Sequence, residues 1–377
     1  MVKGAYLHIP FCEHICYYCD FNKFFIQYQP VDEYLESLET EIKTTVNQYG
    51  AEDMETIFLG GGTPTALDHD QFETLLKTIN NHLLHPGIQE FTVEANPENM
   101  TEEKLKLMKK WGVNRLSVGV QTFNDSLLQS IGRAHTSAGA TQGIELAKSM
   151  GLTNISVDLM FGLPGQTEQD LETSIDQALA LDPAHISIYS LQVEPRTIFY
   201  NRMRKGKLKL PAEEIEAEMY ETIISRLQDK GFHQYEISNF SKSGFESRHN
   251  LIYWNNDEYF GFGAGAHGYL EGERTVNAGP MRSFLRLVQE QGTSMVSHHP
   301  VSQQEQIEEE MFLGLRKIQG VNKHNFYHKY DRTVHELYGR EINDLKHRGL
   351  LYETDHFLAL THNGIFLGNE VFQAFLG

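Results

Sequence analysis

Cysteine is scarce in this chain: its 377 residues contain three, Cys12, Cys16 and Cys19, an odd and small number that argues against a disulfide framework. Positive charge is also in short supply, with 32 Lys and Arg against 51 Asp and Glu and a net charge of −19. A surface this acidic repels phosphate backbones, so nucleic acid is not the expected ligand. No apolar run approaches the ~18 residues that cross a bilayer, and the opening Met-Val-Lys-Gly-Ala-Tyr-Leu-His-Ile-Pro has no apolar core of a secretion signal. The expectation is a cytoplasmic protein without a transmembrane segment. What is present is ordinary globular material, 40% hydrophobic and 22% charged, long enough for two domains or one large α/β domain with an appendage.

The three cysteines fall together as Cys-x3-Cys-x2-Cys, and clustered thiolates are what soft-metal ligation requires. Four cysteines close an electron-transfer cluster, whereas three on a 4Fe-4S cube leave one iron open to a substrate. The alternative is a zinc site completed by His14 or Asp20, although structural zinc normally takes four ligands in paired spacing.

Runs rich in β-branched and aromatic residues predict strands at Ala5–Ile9, Thr56–Leu59, Glu90–Glu94, Arg115–Val120, Ile155–Met160 and His185–Ser190. Helical periodicity lies between them. Val31–Tyr49 follows Pro30, stops at Gly50 and places Leu35, Leu38, Ile42 and Tyr49 on one face. Pro211–Lys230 repeats the pattern with Ile215, Met219, Ile223 and Leu227, ahead of Gly231. Alternating strands and helices predict parallel βα units, hence a partial barrel or an open doubly wound sheet. Gly60-Gly61-Gly62-Thr63-Pro64-Thr65, Glu94, Gln121 and Asp158 all fall near C-terminal strand ends, where barrels build active sites.

The cysteine motif just after a short strand, with Tyr18 between the second and third cysteines, resembles that of the radical S-adenosylmethionine (SAM) superfamily. The resemblance implies a 4Fe-4S cluster on Cys12, Cys16 and Cys19 whose open iron chelates SAM, and it decides the fold expectation: an α/β partial (β/α)6 barrel. Tyr6 and His8, Gly60–Thr65, Val93–Pro97, Val118–Gln121, Gly132-Arg133 and Asp158–Pro164 resemble more closely the oxygen-independent coproporphyrinogen III oxidase group, over essentially the whole chain. That likeness implies SAM contacts from Tyr6, Gly61, Gly62, Thr63, Glu94, Gln121, Arg133 and Asp158. It also implies a smaller, mainly helical C-terminal domain. The glycines would let backbone carbonyls approach the SAM ammonium, and Arg133 would pair with its carboxylate. The expected domains are 1–300, the barrel with its extension, and 301–377. The latter shows helices at Gln304–Lys317 and Thr333–Arg348 and a hairpin at Leu351–Leu360, a winged-helix-like pattern without a strongly basic surface.

Two departures separate this chain from the oxidases. They carry a further cysteine two positions after the third, where this chain has Phe21, and a longer segment before the motif than the eleven residues preceding Cys12. Instead His249-Asn250-Leu251-Ile252-Tyr253-Trp254 resembles an HNxxYW signature of heme chaperones within the same group. His249 is thus the candidate axial ligand of a heme cargo, with the aromatics covering the macrocycle; the alternative is a packed helix with a satisfied histidine. The expected partners are heme or porphyrin, a membrane-associated heme acceptor and an electron donor. Oxidative decarboxylation of coproporphyrinogen III is the competing function, and a zinc-stabilised barrel without redox chemistry the third. His267, in a Gly-rich segment, and the basic cluster Arg202, Arg204, Lys205, Lys207 and Lys209 are further ligand candidates, with a tight turn and a solvated loop as the alternatives.

Overall fold

The structure, a computed structural model, describes residues 1–377. Six parallel strands follow one another: β1 (Gly4–Ile9), β2 (Thr56–Gly61), β3 (Glu90–Ala95), β4 (Arg115–Gln121), β5 (Ile155–Phe161) and β6 (His185–Ser190). They lie side by side in chain order. Every crossover therefore steps the same way, and with right-handed connections all the helices fall on one face. Helices α1 (Val31–Tyr49), α2 (His69–His82), α3 (Glu102–Lys110), α4 (Ser137–Ser149) and α5 (Glu168–Ala180) fill these crossovers. The result is the open six-unit barrel of the sequence expectation, not a doubly wound sheet.

Side-chain alternation separates the two faces of the sheet. On β4, Leu116, Val118 and Val120 are fully buried in the core, while Arg115, Ser117, Gly119 and Gln121 line the interior. The helices are fixed locally: Asp68 and Gln71 form a capping box on α2, as Thr167 and Asp170 do on α5.

Beyond Ser190 the chain continues through α6 (Ile198–Arg204), α7 (Glu213–Asp229), β7 (His233–Glu236), β8 (Asn239–Ser241) and α8 (Arg248–Trp254). Then come β9 (Tyr259–Phe262), β10 (His267–Leu270), β11 (Glu273–Asn277), α9 (Met281–Gln291) and β12 (Met295–Pro300). These strands lengthen the sheet to twelve, in the order β12-β11-β10-β9-β1-β2-β3-β4-β5-β6-β8-β7. Only β9 among them is parallel to its barrel neighbour, pairing Ala5 with Phe260.

The last segment has its own hydrophobic core, with Met311, Phe326, Ile342 and Leu358 at its centre. Its elements run α10 (Gln303–Gly314), β13 (Val321–Asn322), α11 (Lys323–Tyr330), α12 (Val334–His347), β14 (Leu351–Glu353) and β15 (Phe357–Leu360). The strands form one sheet in the order β13-β15-β14, which is the element order of a winged helix. Helix α11 and strand β13 were not expected from sequence. Only Phe326 and Tyr330 of α11 are buried, too few to register as a period.

Candidate active site

The cysteine loop leaves β1 at Ile9 and is closed at its base. Phe11–Cys12 pairs in parallel with Phe24–Phe25, and the Ile26 N–H donates to the Cys12 carbonyl at 3.0 Å. Asn22 ties this lasso to the extension, donating from Nδ2 to the carbonyls of Ala264 at 2.8 Å and Gly279 at 2.9 Å. His8 Nε2 lies 2.7 Å from the Asn22 carbonyl. Cys12 is buried and Cys16 and Cys19 are half-buried. Burial raises the Cys12 thiol, partly offset by the Thr63 hydroxyl, and pushes the Cys19 thiol up to about 11. Such thiols ionise readily only when a cation arrives to compensate them.

A circuit of polar contacts joins two of the cysteines through the strand ends. Arg133 Nη1 lies 3.4 Å from Cys16 Sγ, and its Nη2 donates to Asn96 Oδ1 at 2.9 Å and to the Gly119 carbonyl. Asn96 Nδ2 in turn donates to Thr63 Oγ1 at 3.1 Å, and that hydroxyl reaches Cys12 Sγ at 3.7 Å. The remaining donor of the guanidinium, Nε, is buried without a partner, an uncompensated cationic edge beside the thiols.

Below this circuit lies a cavity of about 400 Å³. It is lined by Cys12, Cys16, Cys19, Gly61, Gly62, Thr63, Glu94, Gln121, Arg133 and Asp158 among others, so strand-end residues far apart in sequence converge on one space. His14 and Asp20 also border it. Two half-buried carboxylates face it without an ion pair. Glu94 accepts only the Gly61 N–H, at 3.0 Å, and desolvation, reinforced by Asp158, pushes its carboxyl up to about 7. Asp158 accepts from Ser117 and Ser156, each at 2.8 Å, and burial still raises it. Gln121 has a φ of 67°, strained for a side-chain-bearing residue and located at the cavity wall.

The sign of the Glu94 shift makes a prediction. Its carboxyl binds a proton more tightly folded than unfolded, so its contribution to stability is present below the ordinary value of 4.5 and is lost as pH rises to about 7. The whole effect is about 3 kcal/mol. Denaturant melts of Glu94→Gln are expected to match wild type at pH ~5 and to exceed it by roughly that amount at pH ~8. Equal differences at both pH values would remove Glu94 as the cause.

Two expected site residues lie off the cavity wall. Tyr6 stands a layer below, its hydroxyl 2.9 Å from His8 Nδ1 and its ring stacked on Phe58. His249 is only 1% exposed, at the floor where the strands begin. Its Nδ1 lies 2.7 Å from Thr56 Oγ1 and its Nε2 2.9 Å from the Tyr253 hydroxyl, so neither nitrogen is open to a heme iron in this arrangement. The backbone N–H of His249 donates to Glu90 Oε1 at 3.1 Å, and Glu90 also takes the Arg248 N–H at 2.9 Å, capping α8. The motif's contact with the cavity is Asn250, one residue on.

The glycines that line the cavity also serve packing. A Cβ on Gly61, which has φ of 108°, would stand 2.3 Å from His8 Nδ1, and one on Gly62 would stand 2.8 Å from the carbonyls of Ile9 and Phe11. They let β2 meet the cysteine lasso. The Gly261–Gly265 turn behaves likewise, pressing against the His8 carbonyl and Asn22, while His267 points away, exposed. Cavity residues missed in the sequence include Arg115, Ser117, Asn96, Ser187 and Tyr189. The signal was the period-two recurrence of polar residues on β4, which marks an inward face that is wet instead of apolar.

An open parallel barrel with three thiols at its C-terminal rim defines a radical SAM protein, and the model of the radical SAM superfamily matches residues 6–178. The HemN C-terminal domain model matches residues 301–367. The chain is 56% identical to a Bacillus subtilis protein named heme chaperone HemW, covering 100% of both chains. It is 45% identical to the Lactococcus lactis heme chaperone HemW, over 99% of this chain and 97% of that one. The chain belongs to the HemW family. The solved Escherichia coli coproporphyrinogen III oxidase HemN superposes with a TM-score of 0.86 over 99% of this chain and 90% of that one, at 22% identity, a likeness of fold. Membership of the superfamily implies a 4Fe-4S cluster and SAM. No helix is long and apolar enough to cross a membrane.

Proposed function

We propose that this protein is a heme chaperone that keeps a 4Fe-4S cluster and SAM at the barrel rim and passes heme to an acceptor protein at a membrane. The observation that carries the heme assignment is the full-length similarity to proteins named heme chaperone HemW, at 56% identity in one case.

Cys12, Cys16 and Cys19 would hold the cluster. No three His, Cys, Asp or Glu side chains converge tightly enough for a single metal ion; a cube places each thiolate on a different iron and needs no such convergence. When bound, the cluster supplies one-electron chemistry toward SAM at its open iron. The chain's own part is recognition. Arg133, whose side chain lines the cavity, would pair with a carboxylate. Glu94 and Asp158 sit desolvated where an ammonium or ribose hydroxyl relieves them. Gln121 and Gly119 close the wall beside Arg133, and Thr63 and Asn96 hold Cys12 and Arg133 in register.

The test combines a heme titration with an anaerobic assay of the reconstituted, reduced protein on SAM and coproporphyrinogen III. The expected result is one heme per chain by its Soret band, and no vinyl or monodecarboxylated product under conditions where 5′-deoxyadenosine forms. Decarboxylated product would make the protein an oxidase despite Phe21.

A further inference from the structure

Arg202, Arg204, Lys205, Lys207 and Lys209 are five cations within eight residues of a chain whose net charge is −19. None takes part in an ion pair within 4.0 Å. Many other lysines and arginines do: Lys110, Arg226, Arg274 and Lys346 each hold a carboxylate. Met203 lies among the five and Ile198 and Leu210 flank them, all partly open to solvent at 37–42% exposure. The segment is nevertheless well anchored. Phe199 is fully buried in a small core with Leu127, Ile131, Met160, Leu163 and Leu191, against which Leu208 also packs.

That same small core holds Tyr17 and Tyr18, the two residues following Cys16. The Phe199 N–H donates to the Tyr17 carbonyl at 3.0 Å, and the Arg202 guanidinium lies 4.4 Å from the centre of the Tyr17 ring. A partner seated on this surface therefore rests against the backbone that presents Cys16 and Cys19.

We infer that the 198–210 surface is the docking site of a small acidic one-electron carrier protein that reduces the cluster, an inference that rests on the proposed cluster assignment. Such a carrier is repelled by the net charge of this acidic chain and attracted to this cluster of unpaired cations, so long-range charge both speeds the encounter and orients it. The exposed Met203, Ile198 and Leu210 supply the apolar contact of a small transient interface. In the transfer the carrier loses one electron, a flavin hydroquinone becoming the semiquinone, and the cluster takes it up, passing from the 2+ to the 1+ state. An anionic membrane is the competing occupant; proximity to the cysteine loop favours the carrier, because a lipid surface gains nothing from it.

The test uses the reconstituted full chain and an acidic flavodoxin. Binding of oxidised flavodoxin is titrated calorimetrically at low and high salt, and bleaching of the cluster is followed after mixing with flavodoxin hydroquinone. The triple variant Arg204→Glu, Lys205→Glu, Lys207→Glu leaves the Arg202 contact intact. It is expected to weaken binding and slow bleaching by at least about tenfold at low salt, with both effects shrinking at high salt. Bleaching by dithionite should be unchanged. The matched reversal Lys43→Glu, Lys230→Glu, Arg340→Glu should stay within about twofold of wild type. An unchanged patch variant overturns the inference, and one that loses only adhesion to phosphatidylglycerol vesicles overturns it in favour of the membrane. A wild type with no bleachable chromophore counts against the cluster assignment alone, and the flavodoxin titration still decides the docking site.

Discussion

Replacing Cys16 by alanine is expected to yield a folded protein that retains no stable cluster and cleaves SAM at background level. Two thiolates cannot close three corners of a cube, and the chain has no fourth cysteine to substitute. The fold should survive, because Cys16 is half-buried and Arg133, which lies against its thiol, keeps Asn96 and the Gly119 carbonyl. The stability cost is about 1 kcal/mol or less. Iron and sulfide analysis, the broad absorption near about 400 nm, and chromatography of 5′-deoxyadenosine read out the result, with a fall of at least ~100-fold in cleavage. Cys12→Ala should lose the same chromophore and more stability, since Cys12 is buried under Thr63. A Cys16→Ala protein that reconstitutes to full iron content would place the cluster elsewhere.

This site was readable in the sequence to the extent that its residues sit at strand ends with a recognisable local pattern. The strands themselves announce their type because both of their neighbours are covered: Ile57 and Leu59 on β2, and Leu116, Val118 and Val120 on β4, are fully buried. Glu94, Gln121 and Asp158 then follow from where those runs stop. What alternation on one strand does not reveal is which residue of another strand it meets. The Arg133–Asn96–Thr63 circuit joins three loops, and Asn22, a loop residue with no local signal, holds the cysteine lasso to Ala264 and Gly279.

The extension was illegible for a different reason. Strand β9 inserts beside β1 across some 250 residues of sequence, and no local propensity encodes a pairing of that range. Strand β12 is an edge strand whose residues Val296 to Pro300 are all exposed, so the apolar alternation that betrays a half-buried strand is missing. The glycines were read as close approaches to a ligand; they do line the cavity, and they also meet protein neighbours that the sequence did not name. Gly61 and Gly62 accommodate His8 and the backbone of Ile9 and Phe11, a contact between strand and loop that sequence spacing does not distinguish from a contact with a ligand.

His249→Ala is expected to cost about 3 kcal/mol of stability, more than it costs in heme affinity. The imidazole is fully enclosed at the barrel floor, stacked on Phe58 with ring centroids 5.1 Å apart and set edge-on to Tyr253 at 5.0 Å. Its loss opens a cavity there and strands the Thr56 hydroxyl and the Tyr253 hydroxyl, both its hydrogen-bond partners. Desolvation pushes the imidazole down to about 3, so it is neutral in the folded protein and titrates at its ordinary value of 6.5 in the unfolded chain. Its contribution is therefore present above 6.5 and lost as pH falls toward 3, opposite in sign to that of Glu94. Denaturant melts of wild type and His249→Ala should accordingly converge on acidification, which a simple loss of packing would not produce. The heme readout is independent of the melt. A Soret band unchanged in position in the variant assigns the axial bond to another residue and leaves the HNxxYW helix as the element that closes the floor and presents Asn250 to the cavity. A shifted or lost Soret band in a variant shown to be folded would mean that α8 leaves this packing when heme arrives, exchanging the Tyr253 hydroxyl for iron at Nε2.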